Sequence, residues 1–204
     1  MKRILTLLSN RFVIWLLMSL PGIVLLWEFA AGEMSYKGVI HETGEYGVRI
    51  LIVSLVITPL AMMFPSAWLT NWLVSNRRYI GLASFGYIFL HALFFLLDQR
   101  VRGVNEQEFF SFGIWTGWLA FVFFMLLAVT SNDFAMKELG RDWKTIQRFV
   151  YLAAVLTLLH WVYVDVRHQQ WGPAMLHFSP VIVLSVYRVY WGYVGKRGSK
   201  NGAG

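Results

Sequence analysis

Two histidines, His91 and His160, stand inside long apolar runs of a chain with only five histidines and no cysteine. An ionisable side chain at membrane depth is costly and tends to carry a role. Neutral imidazole suits iron, and a ligating ring needs a partner for its second nitrogen to fix the tautomer. The absence of cysteine excludes disulfides, thiolate-held iron–sulfur clusters and covalent haem attachment through Cys-x-x-Cys-His. A cofactor held by protein atoms must then use nitrogen, oxygen or thioether sulfur. Three readings of the pair are open: axial ligands of one haem, a proton-relay step, or an interhelical hydrogen-bonded pair.

The elements that position these residues follow from composition. Hydrophobic residues make up 57% of the 204 residues and charged ones 14%, well below the roughly 25% charge of soluble domains. The apolar residues fall in blocks of the length that spans a bilayer, and with no water to pair backbone groups each block must be helical. Six spans are expected, near Phe12–Ala31, Val48–Phe64, Tyr79–Leu97, Ile114–Thr130, Phe149–Val166 and Ala174–Tyr193. The fold class is an all-α polytopic membrane helix bundle, with residues 1–204 as a single domain. The first span follows Lys2, Arg3 and Arg11 and lacks a convincing cleavage site, so it reads as an uncleaved span. No sequence repeat is evident.

Of the 18 Lys and Arg residues, Lys37, Arg49, Arg100, Arg102 and Arg167 fall on one side of the expected membrane and the remainder on the other. The positive-inside rule therefore places both termini in the cytoplasm. The basic residues follow topology, which makes nucleic acid an unexpected partner and membrane lipid the expected one.

On this topology the third and fifth spans both run outward. His91 lies 12 residues beyond Tyr79 and His160 lies 11 beyond Phe149. Each is then about 17 Å from the inner boundary, in the outer half of a core about 30 Å thick. A shared depth is what a bis-histidine haem requires. Ser84 and Tyr87 on the helix of His91, and Ala153 and Thr157 on that of His160, are the neighbours available to the rings. The small residues Ser84 and Ala153 could make room for a macrocycle.

Further segments add a family resemblance. His41-Glu-Thr-Gly44, Leu55-Val-Ile-Thr-Pro-Leu60 and Arg77-Arg78-Tyr-Ile-Gly-Leu82 lead to Leu90-His91. Thr130-Ser131, Leu139-Gly140-Arg141-Asp-Trp143 and Phe149-Val-Tyr-Leu152 lead to His160. Over roughly residues 40–165 this order resembles the haem-binding membrane subunits of periplasmic methionine sulfoxide reductase systems (MsrQ, also called YedZ), in the ferric-reductase-like transmembrane superfamily. The resemblance implies a b-type haem on His91 and His160. It implies electrons taken from the quinone pool or a cytoplasmic flavin reductase, with FMN or quinone as further cofactors. It implies as acceptor a periplasmic molybdopterin-dependent methionine sulfoxide reductase, so that the chain is an inner-membrane electron-transfer subunit with no substrate chemistry of its own. Similar proteins often carry a histidine where this chain has Gln147, thirteen residues before His160. One haem, in the outer half, is therefore expected.

The remaining candidates are polar residues near span ends. His41, in an outer loop with Glu42 and Glu45, and Arg49, at the start of the second span, could face haem propionates, or be an exposed loop residue and an interfacial anchor. Arg77 and Arg78 could anchor the third span, bind a flavin phosphate or shape a quinone site beside Gln147. His168 and His177 belong to the last outer loop, His177 as a reserve ligand, and Glu28 reads as interfacial. No P-loop, Gly-x-Gly-x-x-Gly, His-Glu-x-x-His or nucleophile elbow is present, so a soluble reductase would be a separate protein. The rival classes are another ferric-reductase-like carrier with a metal or different protein as acceptor, a small permease, and a cofactor-free structural protein. Pro59 interrupts the second span without the matching break that a permease of inverted repeats would show.

Overall fold

The computed structural model of the chain describes residues 11–103, 106–167 and 172–201. Among these residues there are no strands, and nine helices follow in order. They are α1 (Arg11–Ala30), α2 (Tyr36–Met63), α3 (Trp68–Arg102), α4 (Glu106–Phe109), α5 (Phe112–Val129), α6 (Asp133–Leu139), α7 (Arg141–Gln147), α8 (Phe149–Arg167) and α9 (Gly172–Asn201). Helices α1, α2, α3 and α5 and the run Arg141–Val164 are long and apolar enough to cross a bilayer. The sixth expected span corresponds to the shorter apolar run Ala174–Tyr190 of α9. The protein is an all-α, multi-pass membrane bundle, and large apolar side chains such as Leu16, Val122, Val155 and Leu176 face outward, where lipid would meet them.

Two helices are longer than their apolar runs. Helix α2 starts at Tyr36 rather than near Val48, capped by Ser35, whose hydroxyl accepts from the Gly38 N–H at 3.1 Å. Val39, Thr43 and Gly47 recur at helical spacing and are buried, so this polar stretch already has a packing face. Helix α3 starts at Trp68 rather than near Tyr79 and runs to Arg102; at 35 residues it is about 52 Å long, more than a bilayer core needs. His41, Glu42, Glu45, Arg77 and Arg78 therefore lie on helices and not in loops, because charge ends an apolar run without ending a helix. Likewise His177 lies within α9, while His168 is outside the described residues. Pro59 does not break α2, which continues to Met63; a proline removes one hydrogen bond, and neighbours can satisfy what it frees.

Packing pairs α2 with α3 and α5 with α8, and α9 closes onto α2. The α2–α3 contact is close because small residues meet there: the buried Ser84 hydroxyl donates to the Gly47 carbonyl at 2.8 Å. Helix α1 is tied to α3 by Tyr87, whose hydroxyl accepts from the Gly22 N–H and donates to the Met18 carbonyl, both at 2.8 Å. Those two groups would normally bond each other across one helical turn, so the hydroxyl is inserted into the ladder beside Pro21. One apolar core joins Val48, Leu51 and Leu55 of α2 to Ala120, Phe124 and Leu127 of α5, Ala153, Ala154 and Leu156 of α8, and Phe178 of α9.

Candidate functional site

At one end of this core His91 of α3 and His160 of α8 face each other with ring centroids 6.1 Å apart and planes at 81°. Their helices do not pack extensively on each other; the imidazoles reach across. Each ring is held by a backbone carbonyl of the helix paired with its own. The His91 Nδ1 lies 2.8 Å from the Ile40 oxygen of α2, and the His160 Nδ1 lies 2.7 Å from the Gly113 oxygen of α5. A carbonyl only accepts, so each Nδ1 is the protonated nitrogen. In the neutral ring each Nε2 then keeps its lone pair.

The carbonyls are reachable for a local reason. A helical carbonyl already accepts from the N–H four residues on, and its second lone pair is screened by the side chain at that position. Here that position is Gly44 for Ile40 and Gly117 for Gly113. A Cβ at Gly44 would stand 2.8 Å from the His91 Nδ1, and one at Gly117 would stand 2.7 Å from the His160 Nδ1. The preceding threonines lie beside the same carbonyls: Thr116 donates to Gly113 at 2.8 Å, while Thr43 donates chiefly to Val39 at 2.6 Å and reaches Ile40 only at 3.2 Å. The two histidines are thus held by the same device used twice, a carbonyl followed by x-x-Thr-Gly, over residues 40–44 and 113–117.

The arrangement fits one metal between the rings. Two imidazoles bound to a shared metal through Nε2, each about 2 Å from it, have ring centres about 6 Å apart. Both rings are only partly buried, and the described residues give neither Nε2 a hydrogen bond. Phenyl rings line the α3–α5 side, with Phe85, Phe89 and Phe121 in mutual contact.

The neighbours expected to serve the rings do other work. Ser84 and Tyr87 are occupied by α2 and α1, and Thr157 donates to the Ala153 carbonyl on its own helix. Ser84 and Ala153, expected to leave room, are instead closed into helix contacts, with 1% and 0% exposure. The hydroxyls are taken because neighbouring backbone is closer to them than either ring.

The other sequence-derived candidates separate into two groups. Arg49 pairs with Glu45 one turn earlier, at 2.5 Å, and the same carboxylate lies 3.8 Å from His41 and 3.8 Å from His177 of α9. His177 also rests against Trp161, the residue after His160. This cluster borders the histidine layer, since Glu45 follows Gly44. Donor atoms of His41, Glu42 and Glu45 lie within 4.8 Å of one another.

Arg77, Arg78 and Gln147 belong to the opposite end of the core. Arg77 donates to the Ser54 carbonyl at 3.1 Å and to the Thr58 hydroxyl at 2.9 Å. Arg78 pairs with Asp133 of α6 at 2.5 Å. Gln147 donates to the Leu127 carbonyl and the Thr130 and Ser131 hydroxyls at 3.1–3.3 Å, closing the C-terminal end of α5 beside Trp143, which donates to the Thr130 carbonyl at 2.9 Å. Gly140, at φ +51°, provides the turn between α6 and α7 that returns Trp143 and Gln147 to this position.

Sequence reasoning used His41-Glu-Thr-Gly44 only for the family resemblance, giving Thr43 and Gly44 no role, and passed over Thr116 and Gly117. A signal was present: Thr-Gly occurs at 43–44 and 116–117 and nowhere else in the chain, the second inside Gly113-x-x-x-Gly117.

Comparison with known proteins agrees with this architecture. The family of ferric reductase like transmembrane components matches residues 43–158. That span takes in Gly44, His91 and Gly117 and stops two residues before His160. The chain is 31% identical to the protein-methionine-sulfoxide reductase heme-binding subunit MsrQ of Herminiimonas arsenicoxydans, over 84% of this chain and 78% of that one. It is 31% identical to the MsrQ of Caulobacter vibrioides over 88% and 86% of the two chains, and 32% identical to that of Rhizobium meliloti over 86% and 82%. No solved structure matches the chain.

Proposed function

Since the chain belongs to the ferric reductase like transmembrane family, in its MsrQ branch, we propose that it holds one b-type haem between His91 and His160. In this role it is the membrane electron-transfer subunit of a methionine sulfoxide reductase system in the bacterial inner membrane. The observation that carries the reading is the paired clasp: two imidazoles 6.1 Å apart, each with Nδ1 fixed on a backbone carbonyl. The relatives are heme-binding subunits of methionine sulfoxide reductases by name, which supplies haem and the reductase system. With no cysteine in the chain, the haem would be non-covalent.

When bound, the haem supplies a one-electron carrier. The protein's part is to fix both ligands, set their tautomer and exclude water. The Thr-Gly clasps do the first two through backbone that cannot titrate. Apolar side chains of the core and the phenyl rings of α3 and α5 do the third. The direction of flow follows from topology: with both termini in the cytoplasm, the histidine layer lies nearer the periplasm. The acceptor is then a periplasmic molybdopterin-dependent catalytic subunit that reduces methionine sulfoxide.

Of the two donor classes we favour a quinol, which could approach from the bilayer along an open cleft between α1 and α2. Leu17, Leu20, Pro21 and Val24 line it, with Glu28, Glu42 and Tyr46. Oxidising a quinol releases two electrons and two protons, so a single one-electron carrier would be loaded twice per quinol. Arg77, Arg78 and Gln147 have the helix contacts described above and are assigned no cofactor. A second reading, with a metal ion as electron acceptor, draws on the donors of His41, Glu42 and Glu45; pairing of Arg49 with Glu45 counts against it.

Reconstitution tests donor and acceptor together. In liposomes containing the purified protein and a soluble catalytic subunit, a reduced short-chain quinone should reduce the haem. Methionine sulfoxide should then reoxidise it only when the catalytic subunit is present. Reoxidation by a ferric chelate and not by the catalytic subunit with methionine sulfoxide would transfer the assignment to the metal reading.

A further inference from the structure

Just beyond the histidine layer the buried Gln99 and the half-buried Trp118 each carry an enclosed donor that meets no acceptor. The amide nitrogen of Gln99 and the indole nitrogen of Trp118 are fully enclosed and have no hydrogen-bond partner. Gln99 as a whole is 3% exposed, so its amide has no route to solvent. Buried donors are nearly always paired, and an unpaired one in a native protein calls for a reason. In an apolar setting an amide that serves only packing would be replaceable by methionine, and an indole by phenylalanine.

Their position supplies the reason. Gln99 lies eight residues beyond His91 on α3, about two helical turns along the axis. Phe95 lies midway, one turn from each, and its ring packs edge-on against Trp118 at 6.3 Å. Trp118 in turn follows Gly117, the residue whose missing side chain admits His160. Phe95 and Trp118 therefore form one aromatic layer between the α3 and α5 sides of the site, and Gln99 lies one turn beyond Phe95 on α3. Phe109 and Phe121 also pack on Trp118 and enclose it with apolar surface. The buried carboxylate at this level, Asp98, is engaged by Arg102 on its own helix, so it does not serve them.

We infer that Gln99 and Trp118 are the donors that receive a carboxylate of the bound haem. This rests on the reading that His91 and His160 hold that haem. The porphyrin's only strong acceptors are its two propionates, which extend from one edge. An edge directed from the histidine layer toward Phe95 would run toward these two N–H groups and their aromatic walls. An ionised carboxylate in such a layer needs N–H donors, and N–H bonds to an anion are the stronger kind.

Gln99→Met and Trp118→Phe each remove one N–H at nearly constant volume and can be tested singly. The purified, haem-loaded protein is read by resonance Raman, in the propionate bending bands, and by redox titration of the haem. Losing a donor leaves the carboxylate charge less compensated, which favours ferric iron. The expected result is full haem content, a shifted propionate band in each variant, and a reduction equilibrium moved threefold to tenfold toward the oxidised form, tenfold being 59 mV for one electron. A merely structural role would leave the propionate band in place. Unchanged bands and potential in both loaded variants overturn the assignment and leave the histidine reading standing. Wild-type protein that takes up no haem overturns both.

Discussion

The two ends of the bundle both place polar side chains against helix backbone, and they differ in what is left over. At the Gln147 end the amide nitrogen is divided among a carbonyl and two hydroxyls at the end of α5, and Arg77 is divided between a carbonyl and a hydroxyl of α2. At the histidine end each ring makes a single backbone bond through Nδ1 and no other hydrogen bond among the described residues. The first end uses its side chains up on helix backbone and hydroxyls, Gln147 at the open carbonyl end of α5 and Arg77 along α2. The second is ligand preparation, where one bond fixes a ring so that its other nitrogen is available. Polarity at membrane depth thus becomes informative once hydrogen-bonding capacity is counted.

The largest break in this contrast comes from filling the notches. Gly44→Leu or Gly117→Leu would drive a side chain into the imidazole that the glycine admits. Each should reduce haem per purified protein to about a tenth or less, with Ala at either position giving a partial loss, because the ring would be moved off its carbonyl. Pyridine-haemochrome quantification reads this directly. Full loading in both leucine variants would mean that the clasps do not position the ligands.

A smaller effect is expected at the other end. Gln147→Leu should leave haem content and spectrum unchanged while lowering stability by about 1 kcal/mol, the scale of a hydrogen-bonding side chain in a membrane bundle. Detergent-solubilised thermal unfolding and an absorbance spectrum measure the two quantities together. Haem loss in this variant would erase the distinction between the ends.

The smallest effect sharpens the contrast further. In Thr116→Val the Gly113 carbonyl loses its competing hydroxyl and should accept more strongly from the imidazole N–H, whereas Thr43→Val, whose hydroxyl serves chiefly Val39, should have the lesser effect. The more electron-rich ligand favours ferric iron. The haem should load fully, with its reduction equilibrium moved about twofold to threefold toward the oxidised form. A potentiometric titration that shows movement in the opposite direction would contradict the clasp's electronic role.

His91, His160 and the helices carrying them were legible because two ionisable residues in apolar runs, at equal depth, stand out against any background. The existence of the spans was legible for the same reason. Their ends were less so: residues 36–47 and 68–78 read as loop because charge and glycine interrupt the apolar run, although Val39, Thr43 and Gly47 carry a helical packing face. The partners of the rings were hidden for a different reason. They are backbone carbonyls on other helices, and a carbonyl has no letter in a sequence. Their sequence trace is the glycine that uncovers each one, and a helical glycine by itself reads only as a weak helix former. Pairing the two Thr-Gly dipeptides would have required knowing that α2 lies against α3 and α5 against α8. Gln147 was not legible as the cap of α5, because that role depends on the turn at Gly140.

The central claim is that one haem is shared by His91 and His160. Its most direct test is a reduced-minus-oxidised absorbance spectrum, with haem quantification, of the purified wild type, His91→Ala and His160→Ala. About one b-type haem per chain in the wild type, lost or spectrally altered in each single variant, is the predicted result for two axial ligands of one iron. A wild type purified without haem after expression with haem in excess, or variants with unaltered spectra, would contradict it.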